Sequence, residues 1–373
     1  MPQCYDQATQ VDIVETIRAR TNLLGMSREE LEILAESCGQ PKYRGRQIYH
    51  WLYARRERDF TALTDLGKEF REHLSMRCRI AYPEIQREFR SGDGSVRYLL
   101  GLDDGKSIET VFMPDEKRVT LCLSSQVGCA VACRFCFTAL LGLERNLTAA
   151  EIVGQVLALV DRQGSPRKAR LNIVFMGMGE PLLNLAEVMK AVRILTDPDG
   201  FGITLRRVTI STVGIVPGIL ELGRDPTRPK LAISLNASND EQRAALMPIS
   251  KKYNLSEIMR ACRAYPLRPW ERLTFEYVIL EGMNDSDMDA LCVSRLLRGL
   301  RAKVNLIPYN PGPELPFRPS PFERVLAFQQ ILTERGIPAF IRISRGQDIR
   351  AACGQLSLAG APERRSPMTE TLP

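Results

Sequence analysis

Short hydrophobic runs alternate with amphipathic helical patterns along most of the chain. Runs rich in β-branched and aromatic residues, which predict strands, cover residues 119–123, 171–175, 208–211, 231–235, 273–279, 304–307 and 340–343. Helical patterns fit between most of them, and one helix is predicted to begin at Thr148, which forms a capping box with Glu151. Strands that alternate with helices predict a parallel sheet, and the spacing does not decide whether that sheet is open or closed into a barrel.

The first part of the chain, up to about residue 90, predicts a small, mostly helical and basic module. Ser27 and Glu30 form a second capping box there. Residues 43–53 interleave basic and aromatic side chains, a pattern typical of RNA contacts made by phosphate pairing and base stacking. The same pattern fits an amphipathic helix whose apolar side chains enter the core, so both interpretations stay open.

Composition narrows the class of protein. The chain has 373 residues and a formal net charge of +7, which is compatible with a polyanion such as RNA but does not by itself indicate one. No apolar run approaches the roughly 18 residues of a membrane span, and the first residues lack a signal-peptide pattern, so we expect a cytoplasmic protein without a membrane partner. Only two histidines are present, which argues against a histidine-based hydrolase. Ten cysteines in such a protein indicate thiol chemistry or metal ligation rather than disulfides.

Three closely spaced cysteines are the strongest chemical signal in the sequence. Cys129, Cys133 and Cys136 have the spacing C-x3-C-x2-C. Three thiolates can hold three irons of a [4Fe–4S] cluster and leave the fourth iron open to a small molecule, which is typical of radical S-adenosylmethionine (SAM) enzymes. Half of a structural zinc site is the alternative, but such a site needs further ligands, and both histidines lie far upstream.

Polar residues at the ends of the later predicted strands complete a candidate SAM site. Gly179 and Glu180 belong to a Gly-Met-Gly-Glu-Pro segment directly after a strand, and a glutamate there can accept hydrogen bonds from an ammonium group. A tight turn with a capping carboxylate is the alternative. Further along the chain, strand ends carry polar positions that predict the wall of one pocket, although each could be only a turn or cap residue. The polar residues are Ser211, Ser234, Asn236 and Asn310, and Leu235 belongs to the same predicted wall as the residue between Ser234 and Asn236.

Several motifs in the same order resemble the RlmN/Cfr family of RNA adenine methyltransferases, and RlmN more than Cfr. They occupy residues 124–129, 145–148, 177–181, 246–249, 305–308 and 352–356, besides the cysteine triplet. The resemblance implies an α/β fold, a partial (β/α)6 radical SAM barrel with a small, mostly helical N-terminal accessory domain. It implies a [4Fe–4S] cluster and SAM as cofactors. It also implies methylation of C2 of an adenine in 23S rRNA, and of an adenine in the tRNA anticodon loop, with flavodoxin or ferredoxin as electron donor.

The same resemblance assigns three catalytic residues. Cys353 takes a methyl group from one SAM, a radical derived from a second SAM removes a hydrogen from that methyl group, and the resulting carbon adds to the adenine. Glu109 accepts the proton, and Cys122 then attacks Cys353 to free the product and leave a transient disulfide. Taken alone, Cys122 and Cys353 could be small buried hydrophobes and Glu109 a surface carboxylate.

We expect an accessory RNA-binding domain at residues 1–95, a radical SAM core at 96–356 and a disordered tail at 357–373. Three other functions stay open at this point. The chain could methylate C8 of the same rRNA adenine, as Cfr does. It could be a different radical SAM enzyme, or a non-catalytic RNA-binding protein with structural zinc.

Overall fold

The computed structural model describes residues 20–164 and 170–358, so the predicted tail lies outside the described residues from 359 onward. The N-terminal part is mostly helical. Its helices are α1 (Arg28–Ser37), α2 (Tyr43–His50) and α3 (Lys68–Arg77), and the short strands β1 (Thr21–Asn22) and β2 (Cys78–Arg79) pair in parallel. The predicted capping box at the start of α1 is confirmed, because the Ser27 side chain caps the helix and Glu30 bonds back to the Ser27 backbone.

Three antiparallel strands follow: β3 (Glu84–Arg90), β4 (Val96–Gly101) and β5 (Ser107–Asp115). The next strand, β6 (Arg118–Cys122), pairs antiparallel with β5 on one side. A short hairpin, β7 (Gln126–Gly128) and β8 (Leu143–Asn146), frames the cysteine triplet. The remaining strands run parallel to β6, and they are β9 (Arg170–Phe175), β10 (Val208–Thr212), β11 (Lys230–Ser234), β12 (Leu273–Ile279), β13 (Ala302–Pro308) and β14 (Ala339–Ile341).

Helices connect the parallel strands. They are α4 (Ala149–Gln163), α5 (Leu185–Thr196), α6 (Val216–Arg224), α7 (Asp240–Leu246), α8 (Leu255–Ala264), α9 (Asp287–Leu296) and α10 (Phe322–Glu334). Thr148 and Glu151 form the predicted capping box at the start of α4, whose apolar face is buried against the sheet. None of the helices in the described ranges is long and apolar enough to span a membrane.

The large sheet is an open barrel. Across the described residues it has ten strands in the order β14-β13-β12-β11-β10-β9-β6-β5-β4-β3, with β14 and β3 at its two edges. Because β14 does not pair with β6, the parallel strands do not close into a ring. The seven predicted strands all appear as parallel strands, and the predicted α/β partial barrel with a helical N-terminal part is confirmed. The predicted domain boundary at residue 95 falls between β3 and β4 and stays a prediction.

The parallel strands carry alternating side chains to the two faces of the sheet. Val208, Ile210 and Thr212 of β10 are buried, as the outward face packs against the helices. In the N-terminal part, the apolar side chains of the segment 43–53 enter the core as the amphipathic-helix interpretation predicts, with Ile48 and Leu52 buried. Since all parallel strands end at the same edge, the loops that follow them meet above the barrel.

Candidate active site

A cavity lies at the carboxyl ends of the parallel strands and gathers most of the predicted site residues. Its wall includes Cys129, Cys133, Cys136, Gly179, Glu180, Ser211, Ser234, Asn236, Asn310 and Cys353. Leu235 does not line it, because its side chain is buried on the opposite face of the chain and its backbone N–H is bound by the carbonyl of Glu276 at 2.9 Å. Cys122 and Glu109 also lie outside the wall, behind it in the protein interior.

The cysteine loop leaves β7 through a turn that requires glycine. Gly128 has φ +77°, and a Cβ added there would come within 1.8 Å of the carbonyl oxygen of Gly142. The Cys129 N–H donates to that same carbonyl at 2.7 Å, so the β7–β8 hairpin holds the start of the loop. Burial raises the pKa of all three thiols, that of Cys129 to about 12. The thiols are therefore protonated in the free protein, and iron binding would deprotonate them.

The Gly-Met-Gly-Glu-Pro segment brings the backbone close to β7. A Cβ on Gly179, at φ +98°, would lie 2.6 Å from Cβ of Gln126, and Gln126 Oε1 accepts the N–H of Glu180 at 2.9 Å. The Glu180 carboxylate accepts the N–H of Leu182 at 3.0 Å and that of Val213 at 2.8 Å. Burial raises the pKa of Glu180 to about 7, although these hydrogen bonds oppose the rise. Glu180 therefore caps its turn and also presents a carboxylate to the cavity.

The polar residues at the later strand ends face one another across the cavity. Ser211 and Ser234 lie on the neighbouring strands β10 and β11, with their Oγ atoms 3.5 Å apart. Asn236 adopts φ +55° and accepts the Val278 N–H at 2.8 Å. Asn310 accepts from Gln347 at 2.8 Å, while its buried Nδ2 has no partner in the described part of the chain. An unpartnered buried amide that lines a cavity is a donor available to a ligand.

The segment that carries Cys353 is tied to the cysteine loop. The Phe137 N–H donates to the Gly354 carbonyl at 2.8 Å, and Thr138 Oγ1 donates to the Leu356 carbonyl at 2.6 Å. Cys353 itself is solvent-exposed, but it opens into the cavity rather than onto the outer surface. Desolvation there, together with Glu276, raises the pKa of the Cys353 thiol to about 11.

Cys122 and Glu109 lie behind the cavity on the neighbouring strands β6 and β5. Cys122 pairs with Val111, so the Cys122 side chain points to the same face of the sheet as that of Glu109, two residues along. Burial and the nearby Cys353 raise the pKa of the Cys122 thiol strongly. Glu109 forms a fully buried ion pair with Arg97 and accepts the N–H of Ser357 at 3.0 Å. Burial raises the pKa of Glu109, and Arg97 opposes that rise.

Three charged residues that the sequence analysis did not single out support the site. Glu276 lines the cavity and accepts a hydrogen bond from Asn305 at 2.8 Å. Arg97 is the partner of Glu109. Arg243 is fully buried and donates to the carbonyls of residues 213, 234 and 235, which fixes the loops after β10 and β11. Each is a charge within or beside an apolar segment, which is the sequence signal that would have indicated it.

Sequence families match both parts of the chain. The radical SAM superfamily matches residues 123–292, which include the cysteine triplet and the strands up to β12. The family described as the ribosomal RNA large subunit methyltransferase N-terminal domain matches residues 21–80. The first match lies within the barrel, whose strands β6, β13 and β14 fall outside the matched residues, and the second covers most of the helical N-terminal part.

Similar proteins cover nearly the whole chain. A probable dual-specificity RNA methyltransferase RlmN of Koribacter versatilis is 54% identical over 338 residues, which are 86% of this chain and 97% of that protein. The corresponding protein of Thermus thermophilus is 49% identical and covers 88% of this chain and 92% of its own. The chain belongs to the RlmN family. A solved structure of a radical SAM methyltransferase from Sphaerobacter thermophilus is 47% identical and superposes with a TM-score of 0.85, covering 90% of this chain and 99% of the other.

A radical SAM enzyme of the RlmN family carries a [4Fe–4S] cluster and SAM, and the cavity fits both. Cys129, Cys133 and Cys136 line it together, and the unpartnered Asn310 amide faces it. No group of three or more His, Cys, Asp or Glu side chains among the described residues is arranged to hold one metal ion. A cluster does not require that arrangement, because its cysteine ligands bind separate irons.

Proposed function

We propose that this RlmN-family enzyme methylates C2 of adenine in 23S rRNA and in tRNA. Its relatives carry the name dual-specificity RNA methyltransferase, which supports RNA methylation by radical SAM chemistry. The choice of C2 over C8 rests on the motifs that resemble RlmN more than Cfr. We propose in addition that a flavodoxin or a ferredoxin supplies the electrons.

One observation carries the proposal: the Cys353 thiol opens into the cavity that the three cluster cysteines also line. C2 of adenine lies between two ring nitrogens and is electron-poor, so it cannot attack the methyl group of SAM directly. A thiol beside the cofactor site offers an intermediate carrier for that methyl group. A radical SAM enzyme that acts without such a carrier has no need of Cys353 at this place.

In this proposal the protein supplies the carbon carrier. The cofactors would supply the methyl group, the one-electron chemistry that removes one of its hydrogens, and the acceptor for the one electron that is released when the adduct at C2 loses its proton. Cys353 Sγ takes the methyl carbon and then links it to C2. The contacts of residues 354 and 356 with the cysteine loop hold Cys353 beside the cofactor site. Because the thiolate is the nucleophile and the pKa of Cys353 is raised to about 11, the thiol proton must leave before or as Sγ takes the methyl carbon.

Two residues behind the cavity complete the reaction. Glu109 accepts the proton from C2, for which its carboxylate must be ionised, and the Arg97 guanidinium favours that form. The Cys122 thiolate then attacks Cys353 Sγ and a Cys122–Cys353 disulfide forms. The bond between sulfur and the methylene carbon breaks with its electron pair on carbon, and that carbon takes up a proton to become the methyl group of the product. Because Cys122 and Glu109 point to the same face of adjacent strands, both can approach Cys353 from one side.

Mass spectrometry of the RNA product tests the proposal. Wild-type protein and the Cys353→Ala variant are reconstituted anaerobically with cluster, SAM and a reductant, and are incubated with rRNA and tRNA fragments. We expect C2-methyladenosine with the wild type and none with the variant. SAM cleavage is measured alongside to show that the cluster is intact.

The other outcomes discriminate between the alternatives. C8-methyladenosine would assign the protein to the Cfr-like class. Cleavage of SAM without any methylated adenosine would contradict the RNA assignment and leave a different radical SAM enzyme. A protein that binds zinc instead of iron and sulfide would contradict the radical mechanism itself.

A further inference from the structure

We infer that the amino-terminal end of the barrel, opposite the cluster, binds the sugar–phosphate backbone of the RNA, so that the target nucleotide reaches the cavity through the barrel interior. The choice of RNA as the polyanion rests on the proposed function. Two groups of side chains form the proposed site. One faces the barrel interior below the cavity, and the other is a rim of arginines and one tryptophan around the amino-terminal end of the barrel.

The strand register places two lysines on the inner face of the barrel. Ser234 of β11 and Glu276 of β12 are register partners, and both line the cavity. Side chains two residues apart on a strand point to the same face, so Lys230, four residues before Ser234, also points inward. Lys303 is paired with Thr274, two residues before Glu276, and therefore shares that face.

The layers that contain these lysines are mostly polar. Their polar inward-facing members are Thr120, Asn172, Thr209, Lys230, Thr274 and Lys303, and all of them are half-buried. Ala232, the register partner of Thr274, and Val174, that of Thr209, are apolar members of the same face. The interior of a closed (β/α) barrel is instead filled by branched apolar side chains. A mostly polar, half-buried interior below an active-site cavity fits a passage better than a sealed apolar core.

The positive charge in this region is only partly offset. Burial lowers the pKa of Lys230, the nearby cations Lys303, Arg207 and Arg342 lower it further, and Glu271 opposes them. Several basic side chains at this end of the barrel make no ion pair within the described ranges, and these are Arg206, Arg207, Lys230, Arg272 and Lys303. Glu276, in the inner layer above, is hydrogen-bonded to Asn305 and partly offsets the charge of Lys303. Cations in excess of carboxylates inside a concave wall attract phosphate groups.

The rim adds a surface for base stacking. Trp270, in the loop before β12, is 40% exposed. The Arg206 guanidinium lies 4.6 Å from the centroid of its ring, and that of Arg268 lies 5.8 Å away. An exposed aromatic ring between arginines is the combination that binds unpaired bases of single-stranded RNA.

The dimensions fit a nucleotide that spans from the rim to the cavity. Lys230 precedes Ser234 by four residues of one strand, which at ~3.3 Å per residue separates them by about 13 Å. A phosphate at Lys230 and a base beside Cys353 could thus belong to the same short stretch of RNA. On the opposite side of the cavity, the Cys353 segment bonds to the cysteine loop at Phe137 and Thr138.

RNA binding at several salt concentrations tests the inference, with the full-length reconstituted enzyme and without reductant. Two double variants are compared: Lys230→Gln with Lys303→Gln in the barrel, and Lys251→Gln with Lys252→Gln, two exposed lysines beyond the cavity. We expect the barrel variant to bind an anticodon stem-loop more weakly. The plot of the logarithm of the association constant against log[salt] should be less steep by roughly 1.4, which corresponds to two lost phosphate contacts. The control variant keeps the wild-type slope.

A second pair of variants, at Trp270, keeps the test valid if the barrel variant misfolds, because replacing a surface residue should not unfold the protein. Trp270→Ala is expected to weaken binding roughly tenfold, and Trp270→Phe to retain most of it, since stacking needs only an aromatic face. Wild-type slopes and affinities in both the barrel variant and Trp270→Ala would overturn the inference, as would a loss confined to Lys251→Gln with Lys252→Gln. Normal RNA binding with no methylation would contradict the proposed function alone.

Discussion

At the scale of single residues, the cluster ligands could be predicted from the sequence because they are neighbours in it. Cys129, Cys133 and Cys136 lie within one loop, so their spacing already restricts their geometry. The ion pair of Arg97 with Glu109 is different, because the pairing of β4 with β5 brings these residues together. Hydrophobic patterns predict that two strands exist but not which residue of one lies opposite which residue of the other.

Arg97 is expected to act as a positioning residue that keeps Glu109 ionised. In Arg97→Met the buried carboxylate loses its cation, so we expect proton transfer to fail and a covalent RNA–protein adduct at Cys353 to accumulate. The variant should also lose about 3–5 kcal/mol of stability, the usual cost of breaking a buried ion pair. Adduct is measured on denaturing gels after reaction with SAM and reductant. Arg97→Lys retains the charge and should form less adduct.

The pH dependence separates this role from a purely structural one. Burial already raises the pKa of Glu109, so the ionised form is lost as the pH falls toward that raised value. Resolution of the adduct should therefore slow on acidification, and in Arg97→Met this slowing should begin at higher pH than in the wild type. Identical pH profiles for the two proteins, after correction for unfolded material, would show that Arg97 only stabilises the fold.

At the scale of secondary-structure elements, the parallel strands were predictable and the antiparallel extension was not. The parallel strands are buried on the helix-facing side and read as short apolar runs bounded by turn residues. β3 has the sequence Glu-Ile-Gln-Arg-Glu-Phe-Arg, and as the edge strand it leaves most of its side chains exposed or half-buried. A strand of that kind gives little hydrophobic signal, and its charges are typical of protected sheet edges.

The turn after β9 offers a test at this scale. Gly179→Ala forces a Cβ to 2.6 Å from Gln126, whose side chain holds the Glu180 N–H, so the Glu180 carboxylate must move. We expect SAM to bind at least roughly tenfold more weakly, which corresponds to about 1.4 kcal/mol. Gly336→Ala is the matched control, because Gly336 also has positive φ (+77°) but open space around it. Binding is measured by anaerobic equilibrium dialysis, and equal affinities for the two variants would contradict the role of this turn.

At the scale of the whole molecule, the sequence indicated a helical module and a barrel but not how they join. The joint is made by residues far apart in the chain. Arg28 binds Asp197 through contacts of 2.8 and 2.9 Å, and Lys190 binds Glu30 at 2.8 Å. Tyr53 Oη accepts the N–H of Gly25 at 2.9 Å and fixes the turn that lies against α4. Partners of this kind depend on shape and distance, which a single sequence does not encode locally.

This joint leads to a prediction about RNA. Gly25 has φ +84°, and a Cβ there would lie 2.4 Å from the backbone nitrogen of Ala150, in the first turn of α4. The backbone of Ala150 cannot move aside as a flexible side chain can, so Gly25→Ala should displace the N-terminal part from the barrel. Gly39→Ala is the control, because Gly39 has a similar φ (+71°) but no neighbour within 4 Å, so this variant has only the strain of the left-handed backbone. If the N-terminal part guides RNA to the cavity, Gly25→Ala loses RNA methylation but keeps SAM cleavage, and hydrogen exchange rises along α1 and the start of α4. Methylation at the wild-type rate despite that increased exchange would show that the barrel alone recruits the RNA.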